Sequence, residues 1–303
     1  MKYLPLLAAI LVAGLLTSCH QETKKELVEI RLKTPDHIIV VIEENHGYDQ
    51  IVASPSAPYI NELMSESAVF TDAHGLTHPS QPNYLALFSG STQGIPADQC
   101  LFDLTPYTTP NLGAALIVKG YTFKGFAQSM PVTGFLECDY LISQLTGGVV
   151  YGRKHCPWVN WQGNKSNDFP DSLSQPMTAF PKDFNQLPTL AFVVPDMDHD
   201  MHNIGKPGDQ AAISRGDQWL RENLGAYVEW AKTHNSLLIF TFDEDQFTTQ
   251  NRILTLFAGA NINPGKYAEK INHYNVLHTI EKMYGLPFSN TGDSSTIAGI
   301  WKN

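Results

Sequence analysis

Three short runs constrain this chain more than anything else in it. Residues 37–42 (HIIVVI), 190–194 (LAFVV) and 237–242 (LLIFTF) are almost continuously apolar and rich in β-branched and aromatic side chains. None of them alternates polar with apolar, so each has to be buried on both faces, as interior strands of a parallel sheet are. Each run also stops at acids. The first ends in Glu43-Glu44-Asn45-His46-Gly47, the second in Pro195-Asp196-Met197-Asp198-His199-Asp200-Met201-His202, and the third in Asp243-Glu244-Asp245. A fourth run, 253–257, completes the set of buried strands. Helical spacing appears between them at 57–67, 112–118, 217–233 and 275–284, the last ended by Gly285 with Pro287 just beyond. Strands alternating with helices predict an α/β fold with a central, mostly parallel sheet flanked by helices.

The strands of a parallel sheet bring their C-terminal ends to one edge, where such folds place their sites. Three acidic clusters therefore meet there. Crowded carboxylates repel one another unless a cation neutralises them. With His202 and His273 available, the donor set suits a divalent ion: Mg²⁺, Mn²⁺, Ca²⁺ or Zn²⁺. The spacing Asp196-x-Asp198-x-Asp200 is not an EF-hand loop, because Met201 stands at the sixth position and Pro207 at the twelfth. Asp198 and His202 instead read as a ligand pair from one strand end, and His199 as a solvated loop residue.

Residues 77–91 (THPSQPNYLALFSGS) supply what a sheet edge alone lacks. Ser80 stands just before Pro82-Asn83 and a helix that runs to Gly90. A helix N-terminus offers unpaired N–H groups and the positive end of a dipole, which together favour an anion or a developing alkoxide. The competing reading of Ser80 is a simple helix cap. Residues 129–184 follow no clear period and are rich in Pro, Gly, Asn and Trp. They read as an irregular excursion that shapes a pocket, with Trp158 and Trp161 as candidate pocket walls and Trp219 and Trp230 as packing residues.

The formal net charge of −10 argues against nucleic acid as a partner, and no Walker A pattern is present. With 43% apolar and 17% charged residues the chain can bury a sizeable core. Residues 1–18 read as a signal peptide too short to span a bilayer. The Leu16-Thr17-Ser18-Cys19 sequence resembles a lipoprotein cleavage site, which would leave lipid on Cys19 and the protein anchored to a membrane at the bacterial cell envelope. Residues 19–35 then form a tether and 36–303 the globular domain. Cys100, Cys138 and Cys156 remain, and one disulfide among them allows three pairings.

The motifs HIIVVIEENHGYDQI, THPSQPNYLALFSGS, VVPDMDHDMH, AYVEWAKTHNSLLIFTFDED and INHYNVLHTIEKMYGLP together resemble the bacterial phosphoesterase family. That family holds secreted acid phosphatases, some acting on phosphatidylinositol phosphates, and more distantly phospholipases C. It lies within the alkaline-phosphatase-like superfamily. The resemblance implies a phosphomonoesterase of acid phosphatase type, with a small phosphorylated substrate or a phosphoinositide headgroup. It also implies a divalent metal held by Glu44, Asn45, Ser80, Asp243 and Glu244. Ser80 matches the nucleophile, and Asn83 would hold a phosphoryl oxygen. Asp198 and His202 match a second metal element. His78 and His273 would sit near the phosphate as ligands or proton donors. Cys100 and Cys138 would be paired. Two departures stand out: Gln246-Phe247 replace the Asp-Gly that often follows Asp245, and no histidine follows His278. The alternatives are a phosphodiesterase or phospholipase C on the same site, or a metal-binding surface lipoprotein without turnover.

Overall fold

The computed structural model describes residues 32–163, 169–289 and 295–302. The expected signal peptide, Cys19 and most of the expected tether lie outside the described residues. No helix among them is long and apolar enough to cross a membrane. Among the described residues there are ten strands: β1 (His37–Glu43), β2 (Ala68–His74), β3 (Phe123–Ala127), β4 (Asp139–Ile142), β5 (Val149–Gly152), β6 (Ser174–Pro176), β7 (Leu190–Val194), β8 (Ser236–Phe242), β9 (Arg252–Ala258) and β10 (Gly265–Asn272). Eight of them form one sheet in the order β10-β2-β9-β8-β1-β7-β3-β6, and β4 and β5 form a separate hairpin. Every neighbouring pair in the large sheet is parallel except those of β9, which runs antiparallel to both β2 and β8. The expected mostly parallel sheet is the one observed.

The register explains why the acids meet. Val41 of β1 lies between Val193 of β7 and Phe240 of β8, and Glu43 stands beside Phe242. The three apolar runs are therefore level, and the acids that follow them emerge side by side. β1, β7 and β8 are buried almost end to end, as uninterrupted apolar runs require. β10 carries no such run. Its pattern GKYAEKIN is mostly exposed, because it is the edge strand, and apolar periodicity gives no sign of it.

The helices are α1 (Tyr48–Ile51), α2 (Pro58–Ser65), α3 (Ser80–Ser89), α4 (Leu112–Val118), α5 (Asp209–Ala231) and α6 (His273–Met283). Every residue of α3 is buried, and Gly90 ends it in the left-handed conformation that glycine adopts without a Cβ penalty. α5 begins eight residues before the expected start. It buries Trp219, Leu220, Leu224, Tyr227, Val228 and Ala231, the face read from the sequence. An Asn272 and Asn275 capping box starts α6, and Gly285, at φ 62°, follows its end. Residues 32–35, expected as the end of the tether, lie against the body instead. Leu32 joins the core, Thr34 Oγ1 donates to the Met283 carbonyl at 2.8 Å, and Tyr284 Oη donates to the Pro35 carbonyl at 3.0 Å.

The excursion contains the β4–β5 hairpin, β6 and several short turns, and those at Arg153–His155 and Pro157–Trp161 pack on α3. Trp158 and Trp161 are wholly buried there, so they are core and not pocket walls. Trp158 fills the space over Gly125 of β3 so closely that a Cβ on that glycine would fall 2.0 Å from its ring. Cys100 and Cys138 are joined, with their Cα atoms 5.7 Å apart, and Cys156 is free and buried.

Candidate active site

Ser80 is the first residue of α3 and does not cap it; the cap position belongs to Pro79. Its hydroxyl turns instead to the strand ends, donating to Glu44 Oε2 at 2.9 Å and lying 3.4 Å from Glu244 Oε1. β1 delivers Glu44 and β8 delivers Asp243 and Glu244. Asn45 sits in the left-handed region at φ 57°, which asparagine tolerates. That turn aims its backbone N–H at Asp243 Oδ1, 3.1 Å away, while its side-chain amide donates to Glu44 Oε2 at 3.1 Å. Glu44, Asn45, Ser80, Asp243 and Glu244 are thus one constellation.

Burial dominates the electrostatics of this group. It holds the Glu44 and Asp243 carboxyls well above their usual range, with the neighbouring acids pushing the same way. The Glu244 carboxyl is pushed up to about 8, first by burial and then by Asp98. Asp243 Oδ2, Glu44 Oε1 and the Asn45 side-chain oxygen are buried without a hydrogen-bond partner. Unpaired buried oxygens are costly, and several converging from different strands are what a bound cation would satisfy. The residues therefore fit a hard divalent ion: carboxylate, amide and hydroxyl oxygens around one point.

A second corner lies on the other side of Glu44. His155 Nδ1 is 3.1 Å from Asp200 Oδ2, and its Nε2 is 3.1 Å from Glu44 Oε1. The latter two atoms are close but not aligned as donor and acceptor, so neither gains a hydrogen bond from the contact. Tyr84 of α3 stacks on the His155 ring at 5.1 Å. Glu44, His155 and His202 bring ligand atoms within 4.8 Å of one another. Burial lowers the pKa of both imidazoles, that of His202 to about 4, so both are neutral and able to coordinate.

Several expected site residues have other duties. Asp198 stands apart: Thr146 Oγ1 and Asn203 Nδ2 donate to it at 2.7 and 2.9 Å, and it braces the loop. Asp200 reaches the site in its place, because the turn after β7 carries the second residue further inward. The side chain of Asn83 is fully engaged within its own loop. Its Oδ1 accepts from the Leu76 and Thr77 N–H groups at 2.9 and 3.1 Å, and its Nδ2 donates to the Thr77 and Pro79 carbonyls at 2.8 and 3.3 Å. It positions the segment that carries Ser80, and no group is left over for a phosphoryl oxygen. His273 is buried, with Nε2 2.6 Å from the Asp243 carbonyl, and supports the backbone behind the site. His78 is at the site: Nδ1 lies 2.8 Å from Glu244 Oε2, and Phe247 stacks on its ring.

Sequence reading missed Lys154, His155, Asp98 and Asp200. The signal available for the first two was a Lys-His pair inside a segment already suspected of shaping a pocket. Lys154 Nζ lies 2.6 Å from Asp98 Oδ2 and 3.3 Å from His202 Nε2.

The description "Phosphoesterase family" belongs to a family model that matches residues 52–287. A phosphatidylinositol-3-phosphatase of Mycobacterium tuberculosis is 43% identical over 273 residues, covering 89% of this chain and 84% of that one. An acid phosphatase of Aspergillus fumigatus is 27% identical over 252 residues, covering 80% of this chain and 54% of its own length, so the chain spans about half of that relative. Among solved structures, an alkaline phosphatase superfamily protein from Vibrio parahaemolyticus superposes with a TM-score of 0.55 at 13% identity, over 85% of this chain and 68% of that one. A phosphonate monoester hydrolase from Silicibacter pomeroyi gives 0.56 at 11% identity, over 86% and 76%. These two likenesses show the alkaline-phosphatase-like fold.

Proposed function

The chain belongs to the phosphoesterase family, and on that premise we propose that it is a metal-dependent phosphomonoesterase in which Ser80 is the nucleophile. As a member it is a phosphoric ester hydrolase that acts on small phosphorylated substrates. The observation that carries the finer reading is the Ser80 hydroxyl: it opens a buried helix and donates to Glu44 at 2.9 Å beside Glu244. Glu44, Asn45, Asp243 and Glu244 would hold the divalent ion. Such an ion supplies Lewis-acid stabilisation of phosphoryl oxygens and lowers the pKa of a bound hydroxyl.

The chain's own residues account for the rest. The Ser80 Oγ proton passes toward the Glu44 carboxylate. Oγ attacks phosphorus, the O–P bond to the leaving alcohol breaks, and the phosphoryl group is carried on Ser80. His78, whose Nε2 rests 3.0 Å from the Thr248 carbonyl on a ring partly open to solvent, turns that N–H to the leaving oxygen and gives it its proton. Water then gives a proton back to His78 and attacks phosphorus, the Oγ–P bond breaks, Glu44 returns the proton to Ser80 Oγ and inorganic phosphate leaves. Asn83 fixes the loop before Ser80, and Tyr84 fixes His155.

The 43% identical relative, a phosphatidylinositol-3-phosphatase, supports a phosphoinositide headgroup as a substrate class. Export with residues 1–18 as signal peptide, a lipid on Cys19 and a short tether would keep such an enzyme beside its lipids. The test compares residues 20–303 with the Ser80→Ala variant on p-nitrophenyl phosphate and bis-p-nitrophenyl phosphate, with and without chelator. Chelator-sensitive monoester turnover that the variant loses supports the reading. Preference for the diester moves it to a phosphodiesterase, and wild-type turnover in the variant removes Ser80 as nucleophile.

A further inference from the structure

Around Ser80 the site is strongly acidic, and a phosphate monoester brings further negative charge. Glu44, Glu244 and Asp200 are buried close together there, and Asp98 lies beside them. The Lys154 ammonium lies against Asp98. Its position is built. Asp98 Oδ2 holds it at 2.6 Å, while Asp98 Oδ1 accepts the N–H of Gln81, the residue after Ser80, at 2.9 Å. The salt bridge therefore ties Lys154 to the start of the nucleophile helix. A lysine has three N–H donors. Asp98 and His202 take two, and nothing else among the described residues takes the third.

The imidazole corner bears on the same point. Glu44, His155 and His202 are spaced for an ion. Lys154 Nζ, however, sits 3.3 Å from His202 Nε2, so a divalent ion bound there would face an ammonium at close range in a buried setting. Beside Lys154 opens a cavity of about 210 Å³ lined by Gln81, Asp98, Gln99 and Asp139 and walled by the Cys100–Cys138 bridge. Its walls are largely apolar, with Leu101 and the disulfide among them, and Gln81, Gln99, Asp139 and Arg153 supply polar groups, so its size and lining suit a leaving alcohol that carries both carbon and hydroxyl groups.

We propose that Lys154 is a catalytic residue: its ammonium binds an oxygen of the transferring phosphoryl group, next to the cavity that takes the alcohol, and stands where a second metal ion would otherwise be needed. This rests on the reading of the protein as a phosphomonoesterase. A fixed ammonium stabilises the charge that develops on the phosphoryl oxygens without reorganising at the moment of reaction.

The test uses the metal-loaded protein, its Lys154→Met and Lys154→Arg variants, and inorganic phosphate as the probe. Metal per chain is counted by elemental analysis, phosphate binding is followed by calorimetry, and turnover is measured on a monoester. The expected result is one divalent ion per wild-type chain. Lys154→Met, supplied with one equivalent of metal, should keep that ion and stay folded, with a melting temperature lowered only by the lost Asp98 salt bridge. It should bind phosphate at least about tenfold more weakly and lose roughly 10²–10³ in kcat/KM, and Lys154→Arg should recover most of the phosphate affinity. Wild-type phosphate binding by Lys154→Met overturns the proposal. So do two ions per wild-type chain, which would mean that the imidazole corner is filled. If Lys154→Met does not fold, Lys154→Gln replaces it, with a weaker loss expected and an unchanged phosphate affinity again overturning the proposal. The Ser80→Ala variant separates the two claims: it should lose turnover and keep Lys154-dependent phosphate binding. Turnover retained by Ser80→Ala defeats the nucleophile and leaves the phosphate-binding result to judge Lys154.

Discussion

Replacing Asn83 with alanine separates a loop-positioning role from a phosphate-binding one. The resemblance to the family gives Asn83 a phosphoryl oxygen to hold, whereas the structure commits its whole amide to residues 76–79. Alanine would strand the Leu76 and Thr77 N–H groups and free two carbonyls. Each buried unpaired group costs about 1–3 kcal/mol, and partial access of water to this half-buried loop brings the sum to about 2–4 kcal/mol. For a domain of this size that lowers the melting temperature by about 4–8 °C. The loop carries Ser80, so kcat should also fall, by about 10²-fold for a displacement near 1 Å. Phosphate affinity, which in this account depends on Lys154 and the metal, should change little. Thermal melting, kcat and KM on a monoester, and inhibition by inorganic phosphate provide the readouts. If Asn83→Ala melts with the wild type and loses mainly phosphate affinity, the structural reasoning is wrong and Asn83 is a ligand-binding residue.

Other expectations follow from single contacts. Gly125→Ala places a Cβ 2.0 Å from Trp158, an overpacking of a wholly buried ring that should cost at least about 1–3 kcal/mol in denaturant unfolding. Cys100→Ser with Cys138→Ser opens a bridge spanning 38 residues and should cost about 4 kcal/mol by the loop-entropy relation, read from the same unfolding curves. Glu281 is buried and its carboxyl pushed up to about 7 by burial. Its folded-state pKa exceeds the unfolded value, so its favourable contribution is full below about pH 4.5 and lost as pH rises through about 7. Glu281→Gln should therefore raise stability by up to about 3 kcal/mol at pH 8 and by nothing near pH 4. Chelation should abolish turnover and lower the melting temperature, because an ion at about a hundred times its Kd contributes about 2.7 kcal/mol to the folded state.

Much of the fold can be read from local pattern. The runs at 37–42, 190–194 and 237–242 announce β1, β7 and β8 because burial on both faces leaves no polar interruption, and the acids at their ends announce the edge that holds the site. Glu44, Asn45, Asp243 and Glu244 follow from that edge, and Ser80 from the helix start. Distant contacts are another matter. Lys154 and His155 lie in a segment without period, and only the folding of that segment over α3 brings them to Glu44. Asp98 is likewise placed by a long loop. The choice of Asp200 over Asp198 depends on how one turn points two acids two residues apart, which composition does not encode. Asn83 and His273 are in the right neighbourhood, yet their hydrogen bonds face the backbone, and spacing along the chain carries no sign of that direction. The exposed pattern of β10 hides an edge strand for the same reason that β1 is plain: periodicity reports burial, not pairing.

The most direct measurement is to trap the phosphorylated enzyme. Metal-loaded protein turning over a phosphorus-labelled monoester at low pH would be quenched in acid, digested, and analysed by mass spectrometry. The account predicts a phosphate on the peptide carrying Ser80 and none on that peptide in the Ser80→Ala variant, which should also be inactive. Label on a different residue, or full turnover with Ser80 replaced, would contradict it.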